Sequence, residues 1–78
     1  MSDTEDLRIT VFHVNSMLAK LGVEARARVS TSYGKKRIYI DEPSGSRDTP
    51  PKGPKECLMF AEGMERALGL LYYGREEA

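Results

Sequence analysis

Between Val23 and Asp41 the chain reads VEARARVSTSYGKKRIYID, and the placement of its apolar residues decides the fold. Val23, Ala25, Ala27, Val29 and Thr31 alternate with Glu24, Arg26, Arg28 and Ser30, the period of two expected of a half-buried strand. Ile38 and Ile40 resume the alternation after Ser32-Tyr33-Gly34-Lys35, where Gly34 offers a position at which positive φ meets no Cβ. With Tyr33 and Gly34 as the two turn residues, Val29 falls opposite Ile38 and Ala27 opposite Ile40, so the apolar sets share one face of a β-hairpin. The other face carries Ser30 opposite Arg37, Arg28 opposite Tyr39 and Arg26 opposite Asp41, the last a candidate cross-strand ion pair. A slip of one residue would bury this charge.

The flanks of the hairpin change to helical period. Upstream, Leu7, Val11, Val14, Leu18 and Leu21 recur at intervals of four and three. Ser2 and Glu5 have the spacing of a capping box, and Asp3 and Asp6 suit a positive helix start. Gly22 takes the place of a left-handed C-terminal cap, with Leu18 and Val23 set to make the contact of a Schellman ending. ITVFHV alone would suit a strand, but the stripe and both caps favour a helix, which leaves Ile9 and Phe12 pointing away from the stripe. Downstream, Gly53 and Pro54 read as N-cap and first helical residue, and Cys57, Phe60, Ala61, Met64, Ala67, Leu68, Leu71 and Tyr72 form a broad apolar stripe. Gly74 is the expected terminator before the polar tail REEA.

Between hairpin and second helix lies PSGSRDTPPKGP, residues 43–54, holding all four prolines and no apolar periodicity. It reads as a loop or ordered crossover. The expected architecture is therefore α+β, a single domain over 1–78 in the order helix, β-hairpin, helix (α-β-β-α), with two helices packed on one face of a short antiparallel sheet. The expected bounds are about 4–21, 23–41, 43–54 and 55–73.

At 78 residues one core is the sensible count, and the stability margin is thin enough that a homodimer is a natural expectation. Twelve basic residues balance twelve acidic ones, which argues against coating nucleic acid through bulk charge. The charge is segregated all the same: Arg26, Arg28, Lys35, Lys36 and Arg37 stand against Glu24 alone between residues 24 and 37. The single cysteine excludes an internal disulfide and fits a reducing compartment, no apolar run approaches a membrane span, and cytoplasmic localisation is expected.

Catalytic and metal signatures are missing from the sequence. His13, the sole histidine, has no neighbouring nucleophile or acid to make it a general base, and one histidine with one cysteine is a poor ligand set. Cys57 sits in an apolar stripe and reads as a buried structural thiol. The proline-rich segment lacks the GxxxxGK[ST] spacing of a phosphate loop, and Glu76 and Glu77 read as solvated acids. No cofactor and no enzymatic activity are expected. Two surfaces are left over. The outer hairpin face offers Arg26, Arg28, Arg37 and Tyr39 to a partner, and charge reversal at Arg28 and Arg37 is expected to leave folding intact. The back of the second helix offers Met59, Gly63, Arg66, Leu70 and Tyr73, with Met59, Arg66, Leu70 and Tyr73 as an oligomer or partner patch.

The order helix, two strands, loop, helix, with LAKLGVEARARV early and GPKECLMFAEGMERALGLL late, is similar to the outline of double-stranded-RNA-binding domains. Those domains have a third strand where this chain has its proline-rich segment, and a lysine cluster at the start of the second helix where this chain has Lys52 and Lys55. The chain as a whole also resembles, by type, the small accessory proteins of bacterial viruses, anti-CRISPR proteins among them. That resemblance implies a steric inhibitor docking on a bacterial protein or ribonucleoprotein complex in the host cytoplasm. The leading expectation is a non-enzymatic protein-interaction module of this kind; the alternative is a small RNA- or DNA-binding module.

Overall fold

A computed structural model describes residues 2–33 and 35–77. The elements are α1 (Asp3–Lys20), β1 (Arg26–Ser32), β2 (Lys35–Glu42), β3 (Gly45–Asp48) and α2 (Pro54–Glu77), with the strands in the order β1-β2-β3 and both pairings antiparallel. This is an α+β fold of two helices against one sheet.

α1 begins as its sequence requires: the Ser2 hydroxyl accepts the Glu5 N–H at 3.2 Å, and Asp3, Glu5 and Asp6 occupy the positive first turn. It ends in a Schellman motif, with Val23 N–H donating to Leu18 O (3.0 Å), Gly22 N–H to Ala19 O (3.1 Å), and Gly22 at φ +75°. This ending holds Val23 to the helix terminus, so the first strand starts at Arg26 instead of Val23.

The hairpin register is the expected one: Val29 pairs with Ile38, Ala27 with Ile40, Ser30 with Arg37, Arg28 with Tyr39 and Arg26 with Asp41. Tyr33 adopts φ +51°, the left-handed conformation of a tight hairpin turn, while Gly34, its expected companion, lies outside the described residues. The inner face of the hairpin closes a small core of Leu7, Val11 and Val14 from α1, Ala27, Ile38, and Cys57 and Ala61 from α2. Leu18, Val29, Ile40, Leu58, Phe60, Met64 and Leu68 pack around it.

Three expectations need correction. Residues 43–54 are not all loop, because Gly45–Asp48 pairs with β2 through Tyr39↔Asp48, Ile40↔Arg47, Asp41↔Ser46 and Glu42↔Gly45. All four residues of β3 are exposed, so no apolar alternation could mark this strand; backbone pairing to the free edge of β2 creates it. The second helix runs through Gly74 to Glu77, since Gly74 does not adopt positive φ and a helical glycine costs only about 1 kcal/mol. Finally, Leu71 and Ala67 are exposed although the stripe placed them in the core. The helices run side by side in the same direction, His13 meeting Glu65 and Lys20 meeting Tyr72, so α1 ends before the last turns of α2 find anything to pack on.

One contact fastens α1 to the sheet at its outer edge. Asn15 Nδ2 donates to Ala27 O (3.0 Å), and Ala27 N–H donates to Asn15 Oδ1 (2.7 Å), so the carboxamide completes the edge of β1 as a neighbouring strand would. Asn15→Ala leaves both backbone groups partly buried and unpaired, and is expected to lower stability by about 1–3 kcal/mol. Urea unfolding of the variant checks this, and an unchanged midpoint would show that water replaces the amide without cost.

Candidate interaction surfaces

The outer sheet face gathers the residues singled out from the sequence, but joins them largely to one another. Arg28 lies over the Tyr39 ring, 4.9 Å from its centroid, and reaches across the hairpin to Asp41, Nε to Oδ2 at 3.0 Å and Nη2 to Oδ1 at 3.3 Å. Asp41 therefore pairs with Arg28, not with Arg26 directly opposite. The Ser46 hydroxyl of β3 donates to the same carboxylate. Hydrogen bonding from Arg28 and then from Ser46 holds the Asp41 carboxyl below the usual carboxylate range, and the Asp41 bond raises the Arg28 guanidinium. Because the Asp41 value is depressed in the folded state, this contribution is fully present above the ordinary carboxylate range and is lost as pH falls below that range through the lower folded-state value.

Arg37, expected to face solvent so that its charge reversal would leave folding intact, instead plays a structural part. It is more buried than Arg28, pairs with Asp48 and donates to Thr49 O at 2.9 Å, with Nε buried and unpaired. Thr49 is itself buried, its hydroxyl donating to Ile38 O at 2.8 Å. Arg37 thus braces the crossover from β3 to α2. Arg26 is exposed at the start of β1.

The crossover is fixed at a second point. Lys36 O accepts Gly53 N–H at 3.1 Å and the Cys57 thiol at 3.4 Å, with Pro51 O also 3.8 Å from the sulfur. Burial raises the Cys57 pKa and the nearby Arg37 charge only partly opposes it, so the thiol stays protonated and serves as a donor. The same bonds hold the segment carrying Lys52, just before α2, against Lys36 of the hairpin, a proximity absent from the linear pattern because 15 residues separate Lys36 from Lys52. Lys36 also donates to Thr31 Oγ1 at 2.6 Å.

The helices present the other surface. A groove of about 820 Å³ runs between them on the side away from the sheet, walled by His13, Met17 and Lys20 on α1 and by Met59, Arg66 and Tyr73 on α2. His13 Nδ1 and Glu65 Oε2 meet across it at 3.1 Å. Met59, Leu70 and Tyr73 remain largely exposed, as do Phe12 and, to a lesser degree, Ile9 on α1. The expected patch on α2 therefore lies on the surface. Among the described residues no cluster of three or more His, Cys, Asp or Glu side chains could hold a metal ion, and no helix is long and apolar enough to cross a membrane.

Two tests separate structure from surface here. Arg28→Glu is expected to leave the urea midpoint nearly unchanged, because exposed ion pairs add little, whereas Arg37→Glu is expected to cost roughly 1–3 kcal/mol through loss of the Thr49 and Asp48 bonds. Equal effects would mean that Arg37 does not brace the crossover. Cys57 should react with iodoacetamide far more slowly in the native chain than in denaturant, and native labelling as fast as that of the unfolded chain would contradict a buried, donating thiol.

Comparison with known proteins yields no relative to set beside this geometry: no family model, no curated protein and no solved structure matches the chain.

Proposed function

We propose that the protein is a non-enzymatic protein-interaction module that docks through its helices. One observation carries the reading: Phe12, Met59, Leu70 and Tyr73 remain 62–72% exposed, while among the described residues the buried core holds seven apolar side chains, two of them alanines. Burying a large apolar side chain contributes about 1.5–3 kcal/mol, so this surface holds unused burial comparable to what the core provides. Met59, Leu70 and Tyr73 share α2 while Phe12 stands on α1, and large exposed apolar groups of this kind mark places where another protein fits. The outer sheet face contributes less, since Arg28 and Arg37 are committed to Asp41 and Asp48.

The finer reading is an inhibitor of the anti-CRISPR type that sterically blocks a bacterial defence complex, and its support is the resemblance by type of a small, cysteine-poor, single-domain chain. A second reading, an RNA- or DNA-binding module, draws on two features absent from the linear pattern. β3 supplies the third strand of the double-stranded-RNA-binding outline, and the segment that carries Lys52 is held against Lys36 where α2 meets the hairpin.

Affinity capture from bacterial lysate with the tagged chain, with and without nuclease, discriminates these readings. The interaction reading expects one defined protein complex that resists nuclease, disappears with Met59→Lys/Leu70→Lys and persists with Arg28→Ala. Recovery that vanishes with nuclease moves the assignment to nucleic acid. Affinity for duplex RNA should then fall steeply with salt, with a log–log slope near −0.7 to −0.9 for each phosphate contacted, and Lys36→Gln/Lys55→Gln should flatten that slope.

A further inference from the structure

The back of α2 carries Met59, Gly63, Arg66, Leu70 and Tyr73 at intervals of four, three, four and three, the spacing at which one helix forms a continuous seam with another. Met59 and Tyr73 lie seven residues to either side of Arg66. We infer that this face is covered by a second copy of the chain, two α2 helices packing antiparallel across a two-fold axis at Arg66. The inference rests on the protein-interaction reading and names its partner.

Shape and charge both favour self-pairing. About such an axis Met59 lies level with Tyr73 of the second copy, and Leu70 lies level with Glu62, over the hole bounded by Met59, Gly63 and Arg66. A Cβ placed on Gly63 would meet nothing within 4 Å, so the chain's own atoms leave that hole empty to receive the leucine. Arg66 and Glu62 are exposed and form no ion pair with each other within the chain. In the antiparallel arrangement Glu62 of each copy stands one turn from Arg66 of the other, within reach of an arginine side chain. Two symmetric pairs then flank the axis and offset the approach of Arg66 to its own mate. Glu65 is already engaged by His13. The seam from Met59 to Tyr73 is about 21 Å long at 1.5 Å per residue, a short contact that calls for a dimer in exchange with monomer on dilution.

Sedimentation equilibrium of the full chain over a wide concentration range tests the inference. The expected result is a mass rising from 8.7 kDa towards twice that value. Gly63→Gln fills the hole with a better helix former, so it should weaken association by about tenfold or more while leaving the thermal midpoint of the monomer equal or higher. Glu62→Arg should also weaken association, and adding Arg66→Glu to it should restore it. A chain that stays monomeric throughout overturns the dimer, as does an association indifferent to Gly63→Gln and Glu62→Arg. The broader reading fails separately, when the chain neither associates with itself nor captures any nuclease-resistant protein.

Discussion

The pairing of Val29 with Ile38 and of Ala27 with Ile40 is the constraint on which the rest of the structure hangs. Side chains alternate across a strand, so one register sends the aliphatic set inward and the cationic set outward, and any odd slip reverses both. Once Ala27 and Ile38 face inward, the helices have a floor to pack on, and Leu7, Val14, Cys57 and Ala61 close over it. The same register brings Tyr39 and Asp41 to Arg28, where ring and carboxylate hold the guanidinium from two sides.

β2 also organises the crossover to α2. Its outer edge recruits Gly45–Asp48 as a strand, its Ile38 carbonyl takes the Thr49 hydroxyl, and its Lys36 carbonyl takes both Gly53 N–H and the Cys57 thiol. A proline-rich connection that lacks apolar residues is thereby held through hydrogen bonds instead of burial. Proline reduces the conformational freedom lost on ordering such a segment, and buried backbone groups find partners in side chains where no ladder is available. Cys57 belongs to this scheme: its protonated sulfur is a weak donor that helps fix where α2 begins.

The two surfaces differ in how fully they satisfy themselves. On the sheet, carboxylates and arginines pair within the chain, Arg28 with Asp41 and Arg37 with Asp48, and Arg47 adds Glu42 at 3.3 Å. On the helices, large apolar side chains face outward with none of the described elements covering them, because the sheet occupies only one side and the last turns of α2 run past the end of α1. For so small a domain, stability and association draw on the same apolar area, and whichever partner covers that area also strengthens the fold.

The sequence by itself determined the elements whose signal is local: both caps of α1, the apolar stripe facing the core, the hairpin and its register, and the leftover faces at Met59, Leu70, Tyr73 and Phe12. Capping, periodicity and turn chemistry act within a few residues, so they can be read along the chain. Tertiary structure decided what depends on distant partners. β3 has no apolar residue and exists through the edge of β2; Asn15 looks like any polar helix residue until Ala27 lies beside it; and Arg37 reads as surface until Asp48 and Thr49 close around it. Exposure of Leu71 and convergence of Lys36 with Lys52 were settled in the same way, because both depend on where the helices end and meet the sheet, a relation between segments that no local pattern records.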